Sequence, residues 1–207
     1  MRRNEAVPHG NGFFLHENQR IWYSFSYENE VTVLLERLIP RLRVSSVYDI
    51  DLDKLAEQGI RGIITDLDNT LVGAKVPEAT PELAVWLKEV DRRGFKVVIV
   101  SNNDHTRVSR FAVPLDLPFI HAARKPAQRA FRQALSLMGL KPDQTAVIGD
   151  QMLTDVLGGN RLGIFTILVK PIAIQDEGWG TRINRRIERF ATARLKRRGL
   201  WQEEEKR

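Results

Sequence analysis

The residues best suited to chemistry in this chain are carboxylates placed just after short apolar runs. Asp66 and Asp68 stand two apart in Asp66-Leu67-Asp68-Asn69-Thr70, directly behind the nearly all-apolar stretch that begins at Ile60. Ser101-Asn102-Asn103 ends a second such run, Lys125 opens a helical stretch, and Gly149-Asp150-Gln151 ends a third, with Asp155 following. If the ends of these runs meet in space, several carboxylates, a lysine and a hydroxyl converge on one edge. Clustered carboxylates repel one another, so such a site calls for a cation. An all-oxygen donor set selects a hard ion, and Mg²⁺ takes a few carboxylates while keeping waters and substrate oxygens. A metal beside Lys125 makes a positive centre suited to a phosphoryl group.

Phosphate monoesters hydrolyse so slowly that their enzymes need accelerations of up to roughly 10²¹-fold. An aspartate nucleophile divides the task into two displacements through an acyl phosphate. A second carboxyl must then protonate the leaving oxygen and later activate water. Asp68 is placed for that role, with its proton expected to be held in part by neighbouring carboxylates.

The surrounding pattern says what must position these groups. Short apolar runs at residues 60–66, 96–101, 117–121, 145–149 and 165–169 read as strands, the first as one buried on both faces. Helical periodicity fills residues 81–93, 104–111, 126–138 and 152–160 between them, with Pro81 and Pro126 suited to first turns and Gly94 and Gly139 to C-terminal caps. Before the first strand, residues 33–42 read as a short amphipathic helix interrupted by Pro40, and residues 51–56 as a brief helix closed by Gly59. Alternating strands and helices predict an α/β fold, a doubly wound parallel sheet with its ligand site beyond the carboxyl ends of the strands. Neither the gap from Leu71 to Ser101 nor that from Asn102 to Lys125 has room for an inserted cap domain. The site should therefore be open to a large or surface-embedded substrate.

A chain of 207 residues fits one domain, here residues 31–207, preceded by residues 1–30, polar and aperiodic, which read as a disordered N-terminal extension. The absence of cysteine removes disulfides, thiolate metal sites and cysteine nucleophiles, and the four histidines show no ligand spacing. No apolar run is long enough to span a membrane or to serve as the core of a signal peptide, so the reading is a cytoplasmic protein. A net charge of +6 favours anionic partners.

The order and spacing of these groups resemble the four motifs of haloacid dehalogenase phosphatases: Asp66-Leu67-Asp68-Asn69-Thr70-Leu71, Ser101-Asn102, Lys125-Pro126, and Gly149-Asp150-Gln151-Met152-Leu153-Thr154-Asp155. That resemblance implies a Rossmann-like fold, Asp66 as nucleophile and Asp68 as general acid/base. It also implies that Ser101, Asn102 and Lys125 hold the phosphoryl oxygens. Mg²⁺ would be held by Asp66, the backbone carbonyl of Asp68 and Asp150, with Thr70 and Asp155 in support. Arg124-Lys125-Pro126, Val156-Leu157-Gly158-Gly159-Asn160 and Asn184-Arg185-Arg186-Ile187-Glu188 narrow the resemblance to the bacterial YqeG family of subclass IIIA. That family is similar to the mitochondrial and plastid phosphatases that convert phosphatidylglycerophosphate to phosphatidylglycerol, which implies a phospholipid substrate. A phosphatase of soluble phosphomonoesters or nucleic-acid ends, and an RNA- or ribosome-binding protein on the same fold, are the alternatives.

Residues 182–198 carry a dense run of arginine and lysine against the single acid Glu188, with Ile183, Ile187 and Phe190 on one helical face and Trp179 and Trp201 flanking. Three readings are open: a solvated helix whose Ile183 and Phe190 pack on the sheet, a peripheral contact with an anionic membrane on its inner face, or contact with RNA or ribosomes. The apolar stripe of residues 34–42 reads as core before it reads as a membrane anchor, Trp86 as core, and His105 as a residue of a helix's first turn.

Overall fold

A computed structural model describes residues 35–201 of the chain. The expected extension at residues 1–30 lies outside the described residues. Six strands form one sheet: β1 (Leu42–Val44), β2 (Gly62–Thr65), β3 (Lys96–Val100), β4 (Phe119–Ile120), β5 (Thr145–Gly149) and β6 (Phe165–Val169). Their order is β1-β6-β5-β2-β3-β4 and every pairing is parallel. Successive side chains of a strand point to opposite faces, so Ile63 joins a core with Val97, Ile99 and Ile148, while Ile64 joins a second with Val98, Val100 and Val147. Both faces are thus apolar, which is why these strands read as unbroken hydrophobic runs.

Helices cover the sheet where the caps direct them. α1 (Leu52–Glu57) starts at Asp51, whose carboxylate accepts from the Lys54 amide at 2.9 Å. α2 (Pro81–Arg92) starts at Thr80, with Pro81 in its first turn, and buries Leu83, Trp86, Leu87 and Val90. α3 (His105–Ala112) is capped by Asp104, which accepts from the Arg107 amide at 2.9 Å. His105 sits in its first turn, packed edge-on to His121. α4 (Gln128–Met138) closes on Gly139 at φ 65°. A π-helical turn (Met152–Val156) leads into α5 (Leu157–Asn160), and α6 (Trp179–Arg197) ends the described chain. Gly158 and Gly159 let α5 lie close: a Cβ on Gly158 would stand 2.4 Å from the Phe131 ring, and one on Gly159 2.6 Å from Thr166.

Three expectations are corrected. Among the described residues of this stretch, 35–38 form a short helical turn, and Leu42 begins β1, an edge strand the sequence reading missed. Pro40 ends the turn, and the following segment gains partners on β6, with the Arg41 amide donating to the Thr166 carbonyl at 2.9 Å. A strand of three residues is too short to show a period. Leu35 and Leu38 are buried, so this stripe is core. Second, α4 begins at Gln128 rather than Pro126, because Ala127, with extended backbone at ψ 133°, is its N-cap. Third, Phe190 does not pack on the sheet: it is 71% exposed, and the buried residues of α6 are Glu188, Ala191 and Leu195. α6 instead docks on the π-helical turn, where the Leu153 amide donates to Glu188 at 2.9 Å.

Candidate active site

The sheet places the chemistry. β2 lies between β5 and β3, with Thr65 level with both Ile148 and Ile99. Asp66 therefore follows the last residue of β2, Ser101 that of β3 and Asp150 that of β5, on neighbouring strands at the crevice where the winding reverses. Between them a cavity of about 320 Å³ opens, lined by Asp66, Asp68, Ser101, Asn102 and Lys125, and by Glu177 and Thr181 from the C-terminal part of the chain. No inserted cap stands over it among the described residues.

Lys125 reaches into the carboxylates. Its Nζ lies 2.8 Å from Asp66 Oδ1 and 2.7 Å from Asp155 Oδ1, all three side chains being buried. Burial disfavours the lysine's charge, but Asp155 and Asp66 outweigh it and hold the ammonium above the ordinary lysine range. Burial pushes the Asp66 carboxyl up to about 6, against the pull of Lys125 and with the charge of Asp155 adding to the rise. Burial also pushes Asp150 up to about 7, aided by the charge of Asp66 and opposed by Arg185. Thr70 Oγ1 donates to Asp150 Oδ1 at 3.1 Å.

Carboxylate oxygens of Asp66, Asp150 and Asp155 come within 4.8 Å of one another. Asp155 is committed to Lys125, to the Gln151 amide at 3.3 Å and to the Thr154 hydroxyl at 3.1 Å. Asp66 and Asp150 are themselves paired here, with Lys125 and with Arg185, and they are the two carboxylates through which an ion would be held. Their all-oxygen character and their resistance to ionising while buried fit a hard divalent cation such as Mg²⁺.

Asp155 can stand there only because residue 149 lacks a side chain. A Cβ on Gly149 would lie 2.2 Å from Asp155 Cγ and 2.4 Å from its Cβ. Gly149→Ala is expected to displace Asp155, costing about 1–3 kcal/mol of stability. By shifting the partner of Lys125 it should also lower phosphatase turnover roughly 10²-fold. Urea denaturation beside a turnover assay checks both.

Asp68 corrects an expectation. Its bonded partners are not carboxylates: Oδ1 accepts from Arg107 Nε at 3.0 Å and Oδ2 from Asn103 Nδ2 at 2.9 Å. The loop turns at Asn69, held at φ 66° in the left-handed region that asparagine tolerates, and carries residue 68 toward the start of α3. Asn102 acts mainly on the lysine's backbone, accepting from the Lys125 amide at 2.7 Å and donating to its carbonyl at 3.4 Å. Ser101 is buried, and its Oγ accepts from the Asn103 amide at 3.2 Å.

Sequence reasoning missed the contribution of α6. Arg185 pairs with the Asp150 carboxylate, bonds the Asp150 carbonyl, and meets Glu177 Oε1 at 2.9 Å and Glu188 Oε2 at 3.3 Å. Burial works against the guanidinium's charge, but Asp150, Glu177 and Glu188 together keep it firmly protonated. Glu177 Oε1 also lies 3.5 Å from the Asn69 amide nitrogen, and the Ala173 amide donates to Asn69 Oδ1 at 3.2 Å. The chain after β6 therefore clasps the loop that carries Asp66 and Asp68. One signal was available: Glu188 is the single acid in the basic run of residues 182–198, and it faces inward.

Comparisons with known proteins agree with this geometry. Two family models match, Mitochondrial PGP phosphatase over residues 27–114 and HAD-hydrolase-like over residues 122–171. A Bacillus subtilis (strain 168) protein described as "Probable phosphatase YqeG" is 50% identical over 84% of this chain and 100% of its own length. Phosphatidylglycerophosphate phosphatase 1 of the Chlamydomonas reinhardtii chloroplast is 28% identical over 75% of this chain and 61% of its own length. The chloroplastic/mitochondrial phosphatidylglycerophosphate phosphatase 1 of Arabidopsis thaliana is 27% identical over 79% of this chain and 49% of its own length. The fold, the motif order and these matches define an enzyme, a phosphatase of the haloacid dehalogenase type. Within that class, the chain belongs to the YqeG family.

Proposed function

We propose that this enzyme is a Mg²⁺-dependent phosphomonoester phosphatase that works through an aspartyl-phosphate intermediate, with phosphatidylglycerophosphate as its substrate and phosphatidylglycerol as its product. The observation that carries the reaction is the Asp66–Lys125–Asp155 cluster, with Asp66, Lys125 and Asp68 lining one cavity and the Asp150 carboxylate close to that of Asp66. The observation that favours a lipid is the uncapped cavity, together with similarity to proteins named for that substrate.

In this mechanism an Asp66 carboxylate oxygen attacks phosphorus as the bond to the leaving oxygen breaks. Asp68 gives its proton to that oxygen. Water then attacks the phosphorus of the acyl phosphate, Asp68 takes up the water's proton, and Asp66 and inorganic phosphate are released. Lys125, anchored by Asp155, offers its ammonium to the phosphoryl oxygens, and Ser101 lines the same wall. Arg107 and Asn103 fix the direction of Asp68. Asp66, Asp150 and the Asp68 carbonyl would hold Mg²⁺, which would supply positive charge to offset the repulsion of nucleophile and phosphate.

The test compares phosphate release from phosphatidylglycerophosphate in mixed micelles with release from soluble phosphomonoesters, each with and without Mg²⁺. Lipid turnover well above soluble turnover supports the assignment. Activity confined to soluble esters would discard the lipid, and activity unaffected by chelation would discard the metal.

A pH dependence follows from the raised carboxyls. An acid whose folded pKa exceeds its unfolded value near 4 stabilises the fold below that value, and the contribution is lost as pH rises through the folded one. For Asp66 and Asp150 that loss runs from about pH 4 to about 6 and 7. Metal-free protein should therefore melt lower at pH 8 than at pH 5.5, and saturating Mg²⁺ should raise the melting temperature more at pH 8. Thermal melts at both pH values, with chelator or Mg²⁺, measure this.

A further inference from the structure

The outward side of α6 carries an apolar stripe that the core does not use. Trp179 is 80% exposed, Ile187 49% and Phe190 71%, and with half-buried Ile183 they fall at helical spacing along one face. That face is turned roughly 120° around the helix from Glu188, Ala191 and Leu195, which the fold buries. Arg182, Arg186 and Arg189 form a row along one edge of the stripe, and Arg194 and Arg197 interrupt its far end. The helix's one acid, Glu188, points inward to Arg185 and the Leu153 amide, so the outer side presents only basic and apolar groups. Among the described residues nothing covers the stripe.

We infer that this face of α6 docks on the surface of an anionic lipid bilayer, with Trp179, Ile187 and Phe190 entering the interface and the arginines meeting acidic headgroups. The charge pattern favours this occupant. An interfacial helix joins an apolar stripe to a cationic flank, and each basic residue near an anionic surface adds about 1 kcal/mol of attraction. Nucleic acid could use the arginines and stack on the aromatic rings, but it gives Ile183 and Ile187 nothing to bury in. Position favours it too. Trp179 stands between Gly178 and Thr181, both of which line the catalytic cavity. A helix lying on the bilayer brings the cavity mouth to headgroup level, where the phosphate of a lipid substrate resides. The inference rests on the lipid reading proposed above only for its purpose, since binding itself is measured without turnover.

The test is cosedimentation of the full chain with phosphatidylcholine vesicles, with and without an equal share of phosphatidylglycerol. The expected result is binding at least about tenfold tighter to the anionic vesicles, weakening as salt is added. The double variant Ile187→Glu, Phe190→Glu should lose about a hundredfold in vesicle affinity. Its melting temperature and its turnover of a soluble phosphate ester should match the wild type. No vesicle binding, equal binding to neutral vesicles, or unchanged binding by the double variant would overturn the inference. So would a fall of several degrees in the variant's melting temperature, which would mean that protein covers the stripe, or binding of RNA while vesicles are ignored. If lipid in detergent micelles is hydrolysed but vesicles are not bound, the docking surface fails alone. If vesicles are bound but no phosphate ester is hydrolysed, the catalytic reading fails instead.

Discussion

Asp66→Asn is expected to abolish phosphate release, by a factor on the order of 10⁵, while leaving metal-free protein at least as stable as the wild type at pH 8. The amide keeps the shape of the side chain but cannot form an acyl phosphate. Its effect on the fold runs the other way from most buried substitutions. Burial raises the Asp66 carboxyl to about 6, so at pH 8 the native protein carries an ionised group that its surroundings disfavour. Removing that charge relieves the penalty, and Lys125 keeps Asp155 at 2.7 Å as its counterion. Turnover of a soluble ester together with a thermal melt in chelator measures both halves. A variant that retains even a few per cent of turnover would exclude Asp66 as the nucleophile. One that melts well below the wild type would show that the Asp66–Lys125 pair stabilises the fold more than burial costs it.

Arg185→Ala should be the most destabilising single substitution considered. It would leave Asp150, Glu177 and Glu188, all buried, without the guanidinium they share. Breaking a buried pair by removing one partner typically costs about 3–5 kcal/mol, because the remaining charge has neither solvent nor counterion. Arg185→Lys should recover only part of this, since an ammonium cannot address Asp150 and Glu177 with the planar fork. Saturating Mg²⁺ should also recover part of it, by supplying positive charge beside Asp150. Urea denaturation of the three proteins with and without Mg²⁺ gives the comparison. Equal stability of the alanine variant and the wild type would mean that α6 contributes nothing to the catalytic carboxylates. The prediction has a catalytic side as well: turnover should fall with the loss of Asp150's anchor even where the variant is folded.

Much of the site was legible because its signals are local. Asp66 and Asp68 directly follow an apolar run, Asp150 directly follows another, and Gly94 and Gly139 mark helix ends by the chemistry of their own positions. Such features depend on neighbours a few residues away, which is the range over which periodicity and capping act. β1 was not legible because three residues cannot show a period, and what makes them a strand is the exposed edge of β6. Asp68's neighbours were not legible either. Proximity along the chain to Asp66 suggested carboxylate company, whereas the turn at Asn69 hands the side chain to Arg107 and Asn103.

The basic run at residues 182–198 divides the two kinds of knowledge most clearly. Composition and spacing alone determine that it is a cationic amphipathic helix, just as they determine a parallel α/β sheet with carboxylates, a lysine and a hydroxyl at its carboxyl edge. They cannot say which side of the helix the protein uses, because apolar residues lie on two faces: Ile183, Ile187 and Phe190 on one, Ala191 and Leu195 on the other. The tertiary structure decides this through one buried charge cluster. Arg185 and Glu188 must face inward to meet Asp150 and the Leu153 amide, since a buried carboxylate such as Asp150 needs a counterion. That requirement sets the rotation of the helix, turns Phe190 outward, and brings Arg185, 35 residues beyond Asp150, into the carboxylate cluster.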